Sequence, residues 1–239
     1  CKNVLESRKI KSEYVAKDYL ESFQSLAQKI DNSNSIDDWY DIMNDLTDRS
    51  INFDNFDDQG LGQLLNEQWV DANIRFTQFI SNQYPLWMKS KDRPVLSPDV
   101  FSQYLDEHLI NNDKVVLILL DCLRSDQFKA MSKQLSELFH LEMGYYLSIL
   151  PTATPYSRNS IFSGLFPSEL QKLYPDLWNK MWQDEKSMNR YESLFLKDYL
   201  KRKGLESKSL QYHKVLSHND GRKFLNKIKD YKDVDILVI

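Results

Sequence analysis

The apolar positions of residues 1–90 recur every three or four residues, which is the period of an amphipathic helix. Polar breaks at residues 32–35 and 54–62 divide this region into three segments, so we predict three helices that pack as a small bundle. The apolar faces are Ala16, Tyr19, Phe23, Leu26 and Ile30 in the first helix, Trp39, Ile42, Met43 and Leu46 in the second, and Leu64, Leu65, Trp69, Ala72, Phe76 and Phe79 in the third.

Two of these helices have recognisable ends. Ser35 and Asp38 have the spacing of an N-cap and capping box at the start of the second helix. The third helix is expected to end near Tyr84 and Pro85, because proline lacks the backbone N–H that a helix interior requires.

From about Arg93 the pattern changes, and short apolar runs that are typical of buried strands begin to alternate with helical segments. This alternation predicts an α/β fold with a mostly parallel sheet flanked by helices, preceded by the helical bundle. We place the domains at residues 1–90 and 91–239. The predicted strands are 115–120, 145–150, 209–212 and 234–239, and the predicted helices are 98–108, 126–139, 157–162, 189–203 and 218–229.

Composition narrows the classes of function. The formal net charge is −4, and residues 1–90 carry 9 Lys and Arg against 15 Asp and Glu. This balance argues against a module that binds duplex nucleic acid, which would need a basic face. The two cysteines do not suggest a disulfide framework, and the longest apolar run, Val115–Leu120, is too short to cross a bilayer. We therefore expect a cytoplasmic protein without membrane insertion.

The first segment with candidate chemistry is the apolar run that ends at Asp121. Parallel sheets bind ligands at the carboxyl ends of their strands, so this position suits a metal ligand or a nucleophile. From position alone, a cap on the following helix explains Asp121 equally well.

The second segment is the run from Pro151 to Gly164, in which a strand ends and a helix begins. Thr154 is predicted at the N-cap, where free backbone N–H groups favour a phosphate. An ordinary threonine cap and the neighbouring Thr152 remain alternatives. Arg158 and Asn159 follow one turn later and are candidates for substrate binding; solvent-facing or capping roles are equally compatible with their positions.

Taken together, these segments resemble the PglZ output domain of PorX-type response regulators, within the alkaline-phosphatase superfamily. The resemblance rests on the strand ending at Asp121, the Pro-Thr-Ala-Thr-Pro run, and the helix ending in Phe-Ser-Gly-Leu-Phe-Pro; residues 218–225 and the helical residues 1–90 extend it. It implies that Asp121 is a metal ligand and that Thr154 is both nucleophile and metal ligand. Two divalent metal ions, usually zinc, are implied as cofactors of the full-length protein.

The resemblance also implies that the chain is incomplete. It opens at Cys1 and stops at Ile239 inside an apolar run, so we expect a missing receiver domain and a missing second half that holds the remaining metal ligands. None of the four histidines is assigned as a ligand, although His218 beside Asp220 is the least certain case. The chain by itself is expected to have little or no activity.

The function implied is that of a two-component response regulator whose output module has metal-dependent phosphodiesterase chemistry and regulates type IX secretion. The partners implied are a sensor kinase, secretion or sigma-factor regulatory proteins, a nucleotide or oligonucleotide substrate, and a second copy in a homodimer. The alternative is a catalytically silent regulatory scaffold. A haloacid-dehalogenase phosphatase is excluded because Leu123 stands where its second aspartate belongs, and no P-loop or serine-hydrolase motif is present.

Overall fold

The computed structural model describes residues 21–53, 59–183 and 188–239. They form two compact units: a helical unit that takes in the described residues up to Arg93 together with Leu123–Met143, and a sheet unit of Pro94–Cys122 and Gly144–Ile239. None of the described helices is long and apolar enough to cross a membrane.

The described elements follow one another with short connections. In chain order they are α1 (21–32), α2 (Ile36–Phe53), α3 (Gln59–Trp87), α4 (Val100–Tyr104), α5 (Asp106–Ile110), β1 (Val115–Leu117), α6 (Ser125–Leu135), α7 (Thr154–Ser163), α8 (Pro167–Leu173), α9 (Pro175–Met181), α10 (Glu192–Arg202), β2 (Leu210–Tyr212), α11 (His218–Lys227) and β3 (Ile236–Val238). Single 3₁₀ turns occupy Ser97–Asp99 and Ile228–Tyr231.

The helical unit has the apolar core that the sequence predicts. Most of the described residues of the three predicted faces are buried or pack against the core, whereas Ala16 and Tyr19 lie outside the described residues and Leu64 is 37% exposed. The buried residues of this core are Phe23, Leu26, Ile30, Trp39, Ile42, Leu46, Leu65 and Ala72.

The predicted capping box at the start of α2 is confirmed. The Asp38 backbone N–H donates to Ser35 Oγ at 3.2 Å, and the Ser35 N–H donates to the Asp38 carboxylate at 2.9 Å. Hydrogen bonds from the Asn34 backbone, and then from Ser35, lower the pKa of Asp38 because they stabilise its charged form.

Three boundaries in this unit differ from the predicted ones. Helix α3 begins at Gln59, inside the predicted loop, and continues through Pro85 to Trp87. The last turn is stabilised by an edge-to-face contact between Trp87 and Phe79, whose ring centroids lie 5.9 Å apart.

Helix α6 ends at Leu135, four residues before its predicted end. It packs against α2, where Lys129 forms an ion pair with Asp48 at 2.8 Å, so this helix belongs to the helical unit.

The sheet unit contains a parallel sheet, as predicted, with the strand order β1-β3-β2. Val115 and Leu210 both pair with Ile236, and pairing continues beyond β1 through the bonds between Leu119 and Ile239. All three residues of β3 are buried. The predicted strand at 145–150 is reduced to a single bridge between Leu147 and Leu96.

Helices α7 and α10 pack together over the core of this unit. Phe162 contacts Phe101 and Tyr212 edge-to-face, and Phe101 makes the same kind of contact with Tyr199. The sequence did not predict helices α8 and α9; both begin at a proline, which is well suited to the first helical position.

The end of α7 needs glycine for two reasons. Gly164 has a left-handed backbone with φ of 62°, and a Cβ added there would lie only 2.6 Å from the buried ring of Tyr199. No side chain fits at this position without moving the ring, so Gly164 fixes how closely α7 and α10 approach.

We predict that Gly164→Ala lowers the free energy of unfolding more than Gly204→Ala. Gly204 also has a positive φ, of 71°, but nothing lies within 4 Å of its added Cβ. The control should therefore lose about 1 kcal/mol from backbone strain. Gly164→Ala should lose about 2 kcal/mol more from overpacking. Urea unfolding measures both, and equal losses would contradict the proposed close approach.

Candidate functional site

The carboxyl ends of the three strands open onto one cavity of about 660 Å³. Parallel strands all deliver their following residues to the same edge, which is why residues distant in sequence meet there. Helices α7 and α11 complete the wall. The lining residues are Ile118 to Asp121, Thr154, Arg158, Phe162, Asn189, Tyr212 to Leu216, Gly221, Phe224, Leu225, Val238 and Ile239.

Asp121 is held at the cavity by the turn that follows β1. Its side chain is 50% exposed, and Oδ1 accepts a hydrogen bond from the Cys122 backbone N–H at 3.1 Å. Cys122 has a φ of 59°, a strained value for a residue other than glycine. Desolvation, and then the negative charge of Asp121, raise the pKa of Tyr146.

Thr154 lines the same cavity and is exposed, whereas Thr152 is not among the lining residues. The N-cap of α7 is Ala153, so Thr154 is the first helical residue rather than the predicted N-cap. Pro155 is therefore the second helical residue, where its missing N–H costs no bond within the helix. Thr154 still lies in the first turn of the helix, at the positive end of its dipole, although Pro155 has no N–H and the Tyr156 and Ser157 N–H groups donate to the Ala153 carbonyl oxygen at 3.0 and 3.1 Å.

The start of α7 is held in place by hydrogen bonds between the hydroxyl groups of three serines, of which Ser97 and Ser157 are buried and Ser148 is half-buried. The Ser157 hydroxyl lies 3.1 Å from Ser97 Oγ and 2.9 Å from Ser148 Oγ, and Ser97 also accepts the Ile149 backbone N–H at 3.1 Å. These bonds connect the helix to two neighbouring segments, so the position of Thr154 does not depend on its own loop alone.

Asn159 also anchors this helix, and it is fully buried. Its side-chain amide donates to the carbonyl oxygens of Pro155 at 2.6 Å and Met188 at 2.9 Å. Among the described residues, no hydrogen-bond partner reaches its Oδ1 atom. The structure thus places Asn159 beneath the site, and direct contact with a substrate, which we predicted, would require the local packing to open.

Arg158 lies beside both Asp121 and Glu192. Its Nη1 atom is 3.6 Å from Asp121 Oδ2, while Nε and Nη2 donate to the two oxygens of Glu192 at 2.7 and 2.9 Å. Burial disfavours the guanidinium charge, but the hydrogen bonds and charge of Glu192, with smaller contributions from Tyr212 and Asp121, outweigh it and raise the pKa of Arg158. Arg158 is therefore a permanent cation at this site.

Sequence reasoning missed Glu192, Tyr212 and Lys214, which complete the surroundings of Arg158. The Tyr212 hydroxyl donates to Glu192, and Lys214 Nζ lies 3.5 Å from the same carboxylate. Burial, followed by the hydrogen bond to Glu192 and its charge, raises the pKa of Tyr212. No local signal marks these residues, because an acidic residue at the start of a helix is common on electrostatic grounds alone.

The histidines remain unassigned as metal ligands. The His213 ring packs against those of Phe224 and Tyr231, at centroid distances of 5.1 and 4.7 Å. Its buried Nε2 atom has no hydrogen-bond partner among the described residues. His108 lies 3.0 Å from Asp113, His140 lies 3.4 Å from Glu142, and His218 begins α11. His213 alone among these four lines the cavity.

The oxygens of Asp121 and Thr154 fit a divalent cation such as zinc, since both line one cavity at the edge of the sheet. They form only part of a ligand set. Within residues 21–53, 59–183 and 188–239, no group of three or more His, Cys, Asp or Glu residues could hold a metal ion.

Comparison with known families places this arrangement in a class. Residues 100–238 match the family model described as the BREX system PglZ alkaline phosphatase-like domain, and this match covers more than half of the chain. The chain therefore belongs to the PglZ family, whose superfamily commonly uses metal ions. Residues 9–88 match the PorX response regulator linker domain. The chain therefore combines the linker and the PglZ domain of a PorX-like response regulator. No curated protein matches the chain.

We predict that Asn159→Asp destabilises the protein by about 3 kcal/mol at pH 7, because a buried carboxylate would replace an amide that donates to two carbonyl oxygens. Desolvation should raise the pKa of the new carboxyl in the folded state, so the folded state binds the proton more readily than the unfolded state. The loss should therefore be smallest below about pH 4 and grow as the pH rises. Unfolding curves at several pH values check this, with the exposed Asn226→Asp as control; equal pH dependence of the two variants would contradict it.

Proposed function

We propose that this chain belongs to the output module of a two-component response regulator and that the full-length protein hydrolyses phosphodiesters in a metal-dependent reaction. The observation that carries the proposal is the meeting of Asp121, Thr154 and Arg158 at one cavity on the carboxyl edge of the sheet. Phosphoryl transfer requires a metal ligand, a hydroxyl nucleophile and a permanent cation, and Asp121, Thr154 and Arg158 supply these three groups. The matches to the linker and alkaline phosphatase-like domains support the same function.

In the proposed reaction the Thr154 hydroxyl loses its proton and attacks the phosphorus atom, and one ester oxygen takes up a proton and leaves as an alcohol. Water then breaks the bond between phosphorus and the threonine oxygen, which releases a phosphomonoester and restores the hydroxyl group. Arg158 Nη1 and the positive end of the α7 dipole stabilise the charge that develops on the phosphoryl oxygens. Asn159 holds this helix in place through its bonds to the carbonyl oxygens of Pro155 and Met188. A contact between Asn159 and the substrate stays a prediction. The substrate we propose is a nucleotide or oligonucleotide phosphodiester.

Asp121 and Thr154 would hold the metal, which we propose to be zinc, with two ions in the complete site. A bound divalent cation lowers the pKa of a coordinated hydroxyl group and neutralises negative charge. The further ligands would have to come from outside the residues described above.

We propose that the linker relays phosphorylation of a receiver domain by a sensor kinase, and that the pathway regulates type IX secretion through secretion or sigma-factor proteins. A cytoplasmic location, inferred from the cysteine usage, and a homodimer remain predictions of this scheme. The dimer should be seen as a doubling of mass in light scattering of the phosphorylated full-length protein at micromolar concentration. A monomer under these conditions would remove dimerisation from the scheme.

A catalytically silent binding scaffold is the second candidate. It is favoured by the pairing of Arg158 with Asp121 at 3.6 Å, which already neutralises the carboxylate, and by the incomplete ligand set of the described residues. The same cavity would then serve to bind a phosphorylated partner without turnover.

We predict that Thr154→Val in the full-length protein abolishes hydrolysis of bis-p-nitrophenyl phosphate while leaving the thermal unfolding midpoint nearly unchanged, because Thr154 is exposed and its hydroxyl is the proposed nucleophile. Thr152→Val is the matched control, since Thr152 is also exposed but does not line the cavity. It should retain the wild-type rate.

Retention of the rate by Thr154→Val together with its loss in Thr152→Val would transfer the nucleophile to Thr152. No hydrolysis by the wild-type protein would favour the binding scaffold instead.

A further inference from the structure

Glu192 is the least exposed charged residue among the described part of the chain, at 1%, and it is surrounded by donors. Arg158 binds both of its oxygens, the Tyr212 hydroxyl donates to Oε2, and the Asn189 amide donates to Oε1 at 2.9 Å. Lys214 Nζ lies 3.5 Å from Oε2 and donates to the Asn189 carbonyl oxygen at 3.2 Å. One buried carboxylate thus connects α7, α10 and the end of β2.

The hydrogen bonds to Glu192 leave one side of the Arg158 guanidinium available. Glu192 engages Nε and Nη2, so the two N–H groups on Nη1 are left for the cavity side, where Asp121 lies 3.6 Å away. A guanidinium is planar, and fixing two of its nitrogens fixes the third. Glu192 therefore determines where Nη1 of Arg158, the nitrogen beside Asp121, lies.

The same carboxylate holds a second cation at the cavity. Lys214 lines the cavity together with Arg158, and its ammonium group is restrained by Glu192 and the Asn189 carbonyl oxygen. Two positively charged groups on one anchor would repel each other without the negative charge of Glu192 between them. Because Glu192 pairs with both, Arg158 and Lys214 can lie together beside the place where a phosphate would bind.

We infer that Glu192 is a positioning residue that holds Arg158 and Lys214 in place to bind the phosphate of the substrate. This inference rests on the proposed function, which gives the cavity a phosphoester to bind. Stability alone does not explain such a buried ion pair, because well-packed apolar residues stabilise a core as well or better. The placement of two cations on the cavity wall does explain it.

The chain offers a matched control in Asp106. This carboxylate is also buried, accepts a hydrogen bond from the Tyr199 hydroxyl at 2.6 Å, and pairs with Lys203 at 2.7 Å. It does not line the cavity. Asp106→Asn therefore removes an equivalent buried charge without disturbing the proposed phosphate site.

The test is the affinity of the full-length protein for inorganic phosphate, measured by isothermal titration calorimetry. Glu192→Gln, which keeps the shape of the side chain but not its charge, should weaken binding at least tenfold, and Arg158→Ala should do the same. If Glu192 acts mainly through Arg158, adding Glu192→Gln to Arg158→Ala should cause little further loss. Asp106→Asn should bind phosphate as the wild-type protein does, even where its unfolding midpoint falls.

Wild-type affinity in Glu192→Gln, or no phosphate binding by the wild-type protein, would each overturn the inference. The outcome is independent of turnover. Phosphate binding that follows the expected pattern in a protein without hydrolytic activity would overturn the proposed reaction and support the positioning role of Glu192.

Discussion

The central strand β3 hydrogen-bonds to β1 on one side and to β2 on the other, and its three side chains are buried. Because the strands are parallel, their carboxyl ends lie at one edge, and the residues that follow them come together although β1 and β3 lie more than 100 positions apart in sequence. Asp121 and Lys214 reach the same cavity only through this pairing. The candidate site is thus a consequence of the sheet topology.

The second layer of the site is polar and buried. Ser97, Ser148 and Ser157 fix the start of α7, while Glu192 fixes the side chain of Arg158 on the same helix. Groups of this kind cost free energy when they lose their partners, so each one restricts the local structure to the arrangement that satisfies all of them. This restriction is what a site requires if it is to hold a nucleophile and a cation at fixed positions.

The sequence predicted the elements that have a strong local signal. Apolar periodicity located the helical bundle, and apolar runs located the three paired strands, because burial on one face or on both dictates these patterns. The Ser35 capping box also has a local signal, because a serine followed three residues later by an acidic residue can bind the N–H groups at the start of a helix. The strand predicted at 145–150 was wrong, since only Leu147 finds a partner, and an apolar run by itself does not specify pairing.

The candidate site was predictable only in part. Asp121 and Thr154 follow a strand and open a helix, so position along the chain indicated both, and family resemblance gave them roles. Glu192 lies 34 residues from Arg158, and the pair forms only because α7 packs against α10. The assignment of α6 to the helical unit has the same origin, since the prediction of a helix does not reveal which surface that helix covers.

The central claim is that Asp121 and Thr154 belong to a metal site. The measurement that tests it most directly is the zinc content of the purified full-length protein, determined by inductively coupled plasma mass spectrometry, for the wild type and for Asp121→Asn. Bound zinc in the wild type that is lost in the variant, with the fold retained, is the predicted result. A folded wild-type protein that binds no zinc or other divalent metal would contradict the claim and leave the cavity as a binding site without metal chemistry.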